Sequence, residues 1–140
     1  TDYIRTGINL DAILTSQLLI NIFEHNTPLH DGAVIVRENR IVAATCYLPL
    51  SDNMELSKQL GTRHRAGVGI SEQTDSVTII VSEETGQVSV AQGGKLTRSV
   101  NSAKLRKILV RAQNKQVVDN SKLRHLLKGR VKHEEEKNNR

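Results

Sequence analysis

Three short segments of this sequence concentrate side chains able to handle phosphate. Gly61-Thr62-Arg63-His64-Arg65 puts two guanidiniums and an imidazole at consecutive positions, where they repel one another unless an anion lies between them. Arginine forks match phosphate oxygens in bidentate fashion, and a Thr hydroxyl or backbone N–H groups complete such a cradle. Arg63 and Arg65 are two of only six Lys/Arg in residues 1–94, so their adjacency is a local concentration of charge. The same triplet also suits an exposed charged turn or a salt-bridge network, and its spacing alone leaves both readings open.

Leu29-His30-Asp31-Gly32-Ala33 is the second segment. Gly32 permits a positive φ or a close backbone approach to a ligand. Asp31 could then accept a proton from a hydroxyl or help hold a cation. Asp-Gly is equally an ordinary turn dipeptide. The third segment, Ser82-Glu83-Glu84-Thr85-Gly86, follows an apolar run and offers two adjacent carboxylates. Strand exits in α/β folds are common ligand sites, and carboxylates can place a divalent metal that bridges phosphates. Glu-rich surface turns are common too. An acid, a cationic cradle and metal ligands together suffice for phosphoryl or nucleotidyl transfer, where catalysis is mostly positioning and charge neutralisation. No Walker loop, G-x-G-x-x-G, H-E-x-x-H, zinc-spaced Cys pair or G-x-S-x-G elbow offers another chemistry.

The elements that must position these groups read as follows. Leu10, Ile13, Leu14, Leu18, Ile22 and Phe23 recur at helical spacing, with Asn9 or Asp11 as cap and a stop near Asn26, before Thr27-Pro28. Residues 33–36 and 41–48 form a predicted hairpin around Glu38-Asn39, ended by Pro49. Residues 54–60 suggest a short helix closed by Gly61. Residues 62–70 stay undecided, because Thr62 could cap a helix that Gly67 and Gly69 weaken. The β-branched run 77–81 reads as a strand buried on both faces. Glu84-Thr85-Gly86 turns into a strand at 88–91, and Gln92-Gly93-Gly94 turns again toward Leu96. Leu105, Ile108, Leu109 and Ala112 predict an amphipathic helix opened by Asn101 or Ser102. A short helix at 122–127 and a disordered tip complete the chain.

With 140 residues, 37% hydrophobic and 25% charged, the chain has the size and make-up of one globular domain. Tyr3, Phe23 and Tyr47 are its only aromatics, which argues against single-strand nucleic-acid binding by stacking. No apolar run approaches a membrane span, and no signal segment opens the sequence. Cys46 stands alone in the apolar run 41–48, which suits a buried core residue of a reducing compartment. Charge is unevenly spread. Residues 1–94 carry six Lys/Arg against eleven Asp/Glu, and residues 95–140 carry fourteen against four. Such a basic end reads either as a solvated helical end or as a tail for nucleic acid, anionic lipid or an acidic partner.

Read as a set, Asp31-Gly32-Ala33 and Arg63-His64-Arg65 resemble the paired D-G-A and R-H-R motifs of the diadenylate cyclase family. The surrounding Pro28-Leu29-His30, Tyr47-Leu48-Pro49-Leu50, Leu60-Gly61-Thr62 and Val81-Ser82-Glu83-Glu84-Thr85-Gly86 resemble its membrane-anchored Gram-positive branch. The match runs in order over residues 2–109. It implies an α/β fold with a single mixed β-sheet flanked by helices, catalytic over residues 1–112, with a basic extension at 113–140. It also implies condensation of two ATP into cyclic di-AMP and two pyrophosphates. Asp31 would activate the ribose 3′-hydroxyl, with Gly32 and Ala33 bringing backbone to the nucleotide. Tyr47 and Leu48 would meet adenine. Thr62, Arg63, His64 and Arg65 would grip the triphosphate, with Ser82, Glu83 and Glu84 beside the phosphates. His30 would be the ligand for Mg²⁺, Mn²⁺ or Co²⁺. The expected partner is a second copy in a face-to-face homodimer, with no nucleic acid. The expected location is the cytoplasmic face of a membrane, reached through an upstream anchor. Family members place another helix and strand before the segment matching Asp2-Tyr3-Ile4, so an N-terminally truncated domain is expected.

Overall fold

The computed structural model describes residues 3–56, 58 and 60–115. A 3₁₀ turn at Ile4–Thr6 leads into β1 (Ile8–Ile13), α1 (Ser16–Ile22), β2 (Ala33–Arg37) and β3 (Arg40–Cys46). These are followed by α2 (Thr62–Gln73), β4 (Thr78–Val81), β5 (Val88–Gln92) and β6 (Lys95–Thr97). Residues 102–115 are helical and are termed α3. The α/β class with flanking helices is as expected. The single mixed sheet is not: the strands form two three-stranded sheets, β1-β3-β2 and β4-β5-β6, in which every pair is antiparallel. Short hairpin connections at Glu38-Asn39, 82–87 and Gly93-Gly94 dictate this, because neighbours joined by tight turns pair antiparallel.

The helix expected to begin near Leu10 begins only at Ser16, and Ile8–Ile13 is a strand. Leu10, Ile13 and Leu14 satisfy helical spacing, but Leu10 and Ala12 also alternate, and they are the half-buried positions of β1. Pairing with β3 decides between the two periods, an example of tertiary context overriding pattern. Thr15, not Asn9 or Asp11, caps α1 by accepting from the Leu18 N–H at 3.1 Å. The helix ends at Ile22, with Asn26 at φ 64° in the following turn. Glu38 and Asn39 take φ of 50° and 62°, the signs a type I′ hairpin demands.

The chain has two small cores. Ile22, Ile41 and Ala44 are buried with Leu10, Leu14, Leu18, Leu19, Leu29 and Val34 around them. Val68, Ile80 and Ala91 are buried between α2 and the second sheet, flanked by Leu56 and Leu96. Residues 62–70, undecided from sequence, belong to α2. The glycines that weaken its propensity are packing residues: a Cβ on Gly67 would sit 2.7 Å from Ile80 Cδ1. The run 77–81 is not buried on both faces. Only Ile80 is buried in β4, while Ile79 and Val81 remain 44% and 53% exposed, because one face alone meets α2. The described residues of 54–60 form turns, not a helix, and Gly61 opens α2 as its N-cap. Asn101 caps α3, accepting from the Lys104 N–H at 2.8 Å. The expected helix at 122–127 and the tail lie outside the described residues. Cys46 is buried, which pushes its thiol pKa up.

Candidate nucleotide site

Asp31 stands at the entry of β2, where Gly32 makes a close approach to β3. Gly32 has φ 81°, and a Cβ there would lie 2.9 Å from backbone atoms of Thr45 and 3.0 Å from the Cys46 carbonyl oxygen. No other residue type fits that position without moving the strand. Asp31 Oδ1 accepts from the Gly32 N–H at 3.0 Å, which holds the exposed carboxylate over the turn. The pairing of Ala33 with Cys46 then sets Asp31-Gly32 beside the exit of β3, where Tyr47 and Leu48 begin. Tyr47 is 70% exposed, and its N–H donates to Thr6 Oγ1 at 2.9 Å. One end of the first sheet thus carries a carboxylate and an open aromatic face, the latter suited to a flat base.

The strand exit is tied to the cationic segment. Gly69 of α2 lies so close to Pro49 that a Cβ would fall inside its carbonyl oxygen's contact distance, 2.8 Å from the carbonyl carbon. The Ser51 N–H donates to the Arg65 carbonyl at 2.9 Å, and the Ser51 hydroxyl donates to Glu72. Residues 47–51 therefore bridge the Asp31 end of the first sheet to the first turns of α2. Thr62, Arg63 and His64 open that helix with no side-chain cap, so its first N–H groups have no side-chain acceptor among the described residues and suit an anion.

The third segment meets the second at an ion pair. Arg63 bonds Glu83 through Nη2 and Oε1, with both side chains substantially exposed. Ser82–Gly86 is a tight turn, in which the Gly86 N–H donates to the Ser82 carbonyl at 2.9 Å and Ser82 Oγ accepts from the Thr85 N–H at 3.3 Å. Glu84 is exposed in this turn and makes no ion pair among the described residues. Burial lowers the His64 pKa below its ordinary 6.5, and the positive charge of Arg98 lowers it further. Arg98 was not among the residues singled out from sequence. It follows β6, which ends at the same edge as the Ser82–Gly86 turn. The Val100 N–H donates to the Val88 carbonyl at 2.8 Å, and Ser99 Oγ bonds Gln87 Oε1 at 3.4 Å. The available signal was a lone arginine at a strand exit, detectable only once β6 was aligned with β4.

The groups thus fall into two linked sets. Asp31, Gly32, Ala33, Tyr47 and Leu48 share a sheet end, while Thr62, Arg63, His64, Glu83 and Arg98 gather at the start of α2. Asp31 makes no hydrogen bond to Arg63, His64 or Arg65 among the described residues. His30 precedes Asp31, with its Nδ1 2.6 Å from the Thr27 carbonyl oxygen. A proton on Nδ1 would leave Nε2 free as a ligand. No group of three His, Cys, Asp or Glu able to hold a metal occurs among the described residues. His30 Nε2 is by itself a single ligand, so phosphate oxygens and water would have to supply the rest of a divalent cation's shell.

The fold is an α/β domain, and the groups at the start of α2 are of the types that bind phosphate. Residues 1–96 match the family model described as DisA bacterial checkpoint controller nucleotide-binding, and the chain belongs to that family. It is 64% identical over 110 residues to a diadenylate cyclase of Listeria monocytogenes, covering 79% of this chain and 40% of that protein. It is 58% identical over 129 residues to the cyclic di-AMP synthase CdaA of Bacillus subtilis, covering 92% and 47%. The chain spans less than half the length of these two relatives. Among solved structures, a double mutant of DacA from Staphylococcus aureus superposes with a TM-score of 0.77 at 52% identity, covering 79% of this chain and 74% of that one. A hypothetical membrane spanning protein from Bacillus cereus gives 0.66 at 50% identity, covering 67% and 46%. No helix among the described residues is long and apolar enough to cross a membrane.

Proposed function

We propose that this chain is the catalytic module of a diadenylate cyclase, with residues 1–112 as the catalytic unit and 113–140 as a basic extension. Two ATP molecules become cyclic di-AMP and two pyrophosphates. In each half-reaction the Asp31 carboxylate takes the proton of a ribose 3′-hydroxyl. That oxygen bonds to the α-phosphorus of the other ATP, and the bond from that phosphorus to the β-phosphate oxygen breaks. Arg63, Arg65 and Thr62 hold the triphosphate and offset charge growing on the departing pyrophosphate, assisted by the first N–H groups of α2. Glu83 releases Arg63 to the phosphates as they enter. Ser82 and Glu84 lie beside the same phosphates, and Tyr47 and Leu48 face the adenine.

His30 and Asp31 would hold a divalent cation, Mg²⁺, Mn²⁺ or Co²⁺, which supplies charge neutralisation at the phosphates when bound. Each ATP is both nucleophile and electrophile, so two copies of the site must face each other across a two-fold axis. The whole protein then works at the cytoplasmic face, anchored through a segment outside this sequence.

The observation that supports the reading is the close packing of Gly32 on Thr45 and Cys46, which brings the Asp31-Gly32 turn to the end of β3 that leads into Tyr47. Incubation of the chain with ATP and Mn²⁺, followed by chromatography, should yield cyclic di-AMP. Asp31→Asn should keep ATP binding and lose about 10²- to 10⁴-fold in rate. Normal turnover by that variant would refute the role of Asp31, and ATP binding with no product from the native chain would refute the activity.

A further inference from the structure

Thr45 has φ 53°, a left-handed backbone that a β-branched side chain rarely adopts and that lowers stability where it occurs. It lies inside β3 rather than in a turn, and a change of register accounts for it. From Ala33↔Cys46 to Ile35↔Ala43, β2 advances two residues and β3 three, so Ala44 and Thr45 together face one residue of β2. This is a β-bulge, and its left-handed position is one that glycine ordinarily fills. The burial of β3 shows the same slip. Ile41 and Ala43 are buried, and the next buried positions are Ala44 and Cys46, not Thr45 and Tyr47.

Strain of this kind persists only where the surroundings leave the chain no alternative. Here glycines flank the bulge on both sides. A Cβ on Gly32 would lie 2.9 Å from Cα and C of Thr45, and one on Gly7 would overlap the Ala44 carbonyl oxygen and lie 2.6 Å from Cys46 Sγ. The widened part of β3 is thus seated between two positions without side chains, one entering β1 and the other entering β2. The 3₁₀ turn completes the seat, since Thr6 Oγ1 accepts from the Tyr47 N–H at 2.9 Å and donates to the Tyr3 carbonyl at 2.7 Å.

Side chains alternate faces along a strand, so one extra residue exchanges the faces of those that follow. Continuing the phase of Ile41 and Ala43 would turn Tyr47 inward and Cys46 outward. With the bulge, Cys46 is 1% exposed and Tyr47 is 70% exposed. We propose that Thr45 is a positioning residue of the nucleotide site, whose left-handed backbone holds the bulge that turns Tyr47 outward to meet adenine. This role acts through Tyr47 and rests on the adenine contact proposed for it.

Tolerance at position 45 should then follow backbone freedom rather than side-chain size. Gly and Asn accept a positive φ, and Pro forbids it. Two ligands separate the base from the phosphates: α,β-methylene-ATP, which cannot release pyrophosphate, and inorganic tripolyphosphate, which has no base. Calorimetry on the 140-residue chain would give both dissociation constants. Thr45→Pro should weaken the ATP analogue about tenfold, the scale of one base–aromatic stack, and leave tripolyphosphate within about two-fold. Thr45→Gly and Thr45→Asn should stay within about two-fold for both ligands. Thr45→Gly should also raise Tm by about 2–4 °C as the strain is relieved. If Thr45→Pro does not fold, Gly7→Ala, which presses on the bulge from the β1 side, replaces it with the same expectation. Tyr47→Ala separates the two claims. Native-like binding of the analogue by that variant would remove Tyr47 from the adenine, and the role of Thr45 with it. Weakened binding by Tyr47→Ala but not by Thr45→Pro or Gly7→Ala would overturn the positioning role alone. A lower Tm for Thr45→Gly, or equal losses of both ligands in Thr45→Pro, would overturn it as well.

Discussion

Gly69→Ala isolates what the contact between α2 and the strand exit is worth. The substitution improves intrinsic helix propensity by about 1 kcal/mol. Against that, the new methyl would overlap the Pro49 carbonyl oxygen and lie 2.9 Å from Ser51 N, both backbone atoms of the 47–51 bridge. Neither can swing aside as a side-chain terminus would, so α2 or the bridge must move by about an ångström. Overpacking of this kind costs about 1–3 kcal/mol, often more against backbone. We expect a net loss near 2 kcal/mol, or about 8 °C in Tm for a chain of this size. The displacement also shifts Arg63 and Arg65 relative to Tyr47, and a misplacement of about 1 Å can cost about a hundredfold in rate. Two controls share the chemistry but not the geometry. Gly61→Ala meets nothing within 4 Å and should leave kcat near native, losing only the modest difference between Gly and Ala at the N-cap of α2. Gly67→Ala meets the end of the Ile80 side chain, which can turn away, so a smaller loss of stability with near-native kcat is expected. Thermal unfolding and steady-state cyclic di-AMP formation would be measured on all three. A Gly69→Ala protein with native Tm and kcat would show that the bridge does not set the site.

Arg98→Ala should raise KM for ATP about tenfold, the scale of one lost charge-assisted hydrogen bond, with a smaller change in kcat; an unchanged KM would remove Arg98 from the cradle. His64 titrates below 6.5 in the folded chain, so the unfolded chain binds the extra proton first. Stability is therefore complete above pH 6.5 and declines as the pH falls through the folded value, a slope in Tm that His64→Gln should flatten. A bound triphosphate favours the imidazolium, so calorimetry near pH 6.5 in buffers of different ionisation enthalpy should report proton uptake with ATP, reduced in His64→Gln. Glu83→Gln frees Arg63 from its exposed ion pair and should tighten ATP binding by up to about five-fold, consistent with the small worth of such pairs. Chelation should abolish product formation, and Mn²⁺ should restore it.

Much of the site was legible because its chemistry is carried by residue types that have few other uses in those places. Asp31-Gly32 at a strand entry and an Arg-His-Arg triplet in an acidic segment can be read without coordinates. The hairpins were legible for a similar reason, since Asn39 and Gly93-Gly94 accept positive φ where most residues resist it. The first helix was not. Leu10, Ile13 and Leu14 obey the helical period while Leu10, Ala12 and Leu14 obey the strand period, and only the partner strand, remote in sequence, breaks the tie.

The same remoteness explains α2 and Arg98. Gly67 and Gly69 lower local helix propensity, but their absent side chains are what allow α2 to sit against Ile80 and Pro49. A local reading counts them as weakness, when their value lies in contacts made by other elements. Arg98 carries no motif, and its charge matters only because β6 ends where β4 ends, a consequence of two successive hairpins. The two antiparallel sheets serve the proposed site by a shared principle: each brings strand ends from distant sequence together, and the 47–51 segment links the first sheet to α2. If that coupling is what matters, substitutions in 47–51 that contact no nucleotide should alter the affinity for triphosphate. Ser51→Ala, which removes the bond to Glu72 while leaving the backbone bond to Arg65, is the mildest of them. It should raise KM for ATP by a few-fold at nearly constant kcat, the pattern of a site whose cradle is tilted but whose reacting atoms are intact.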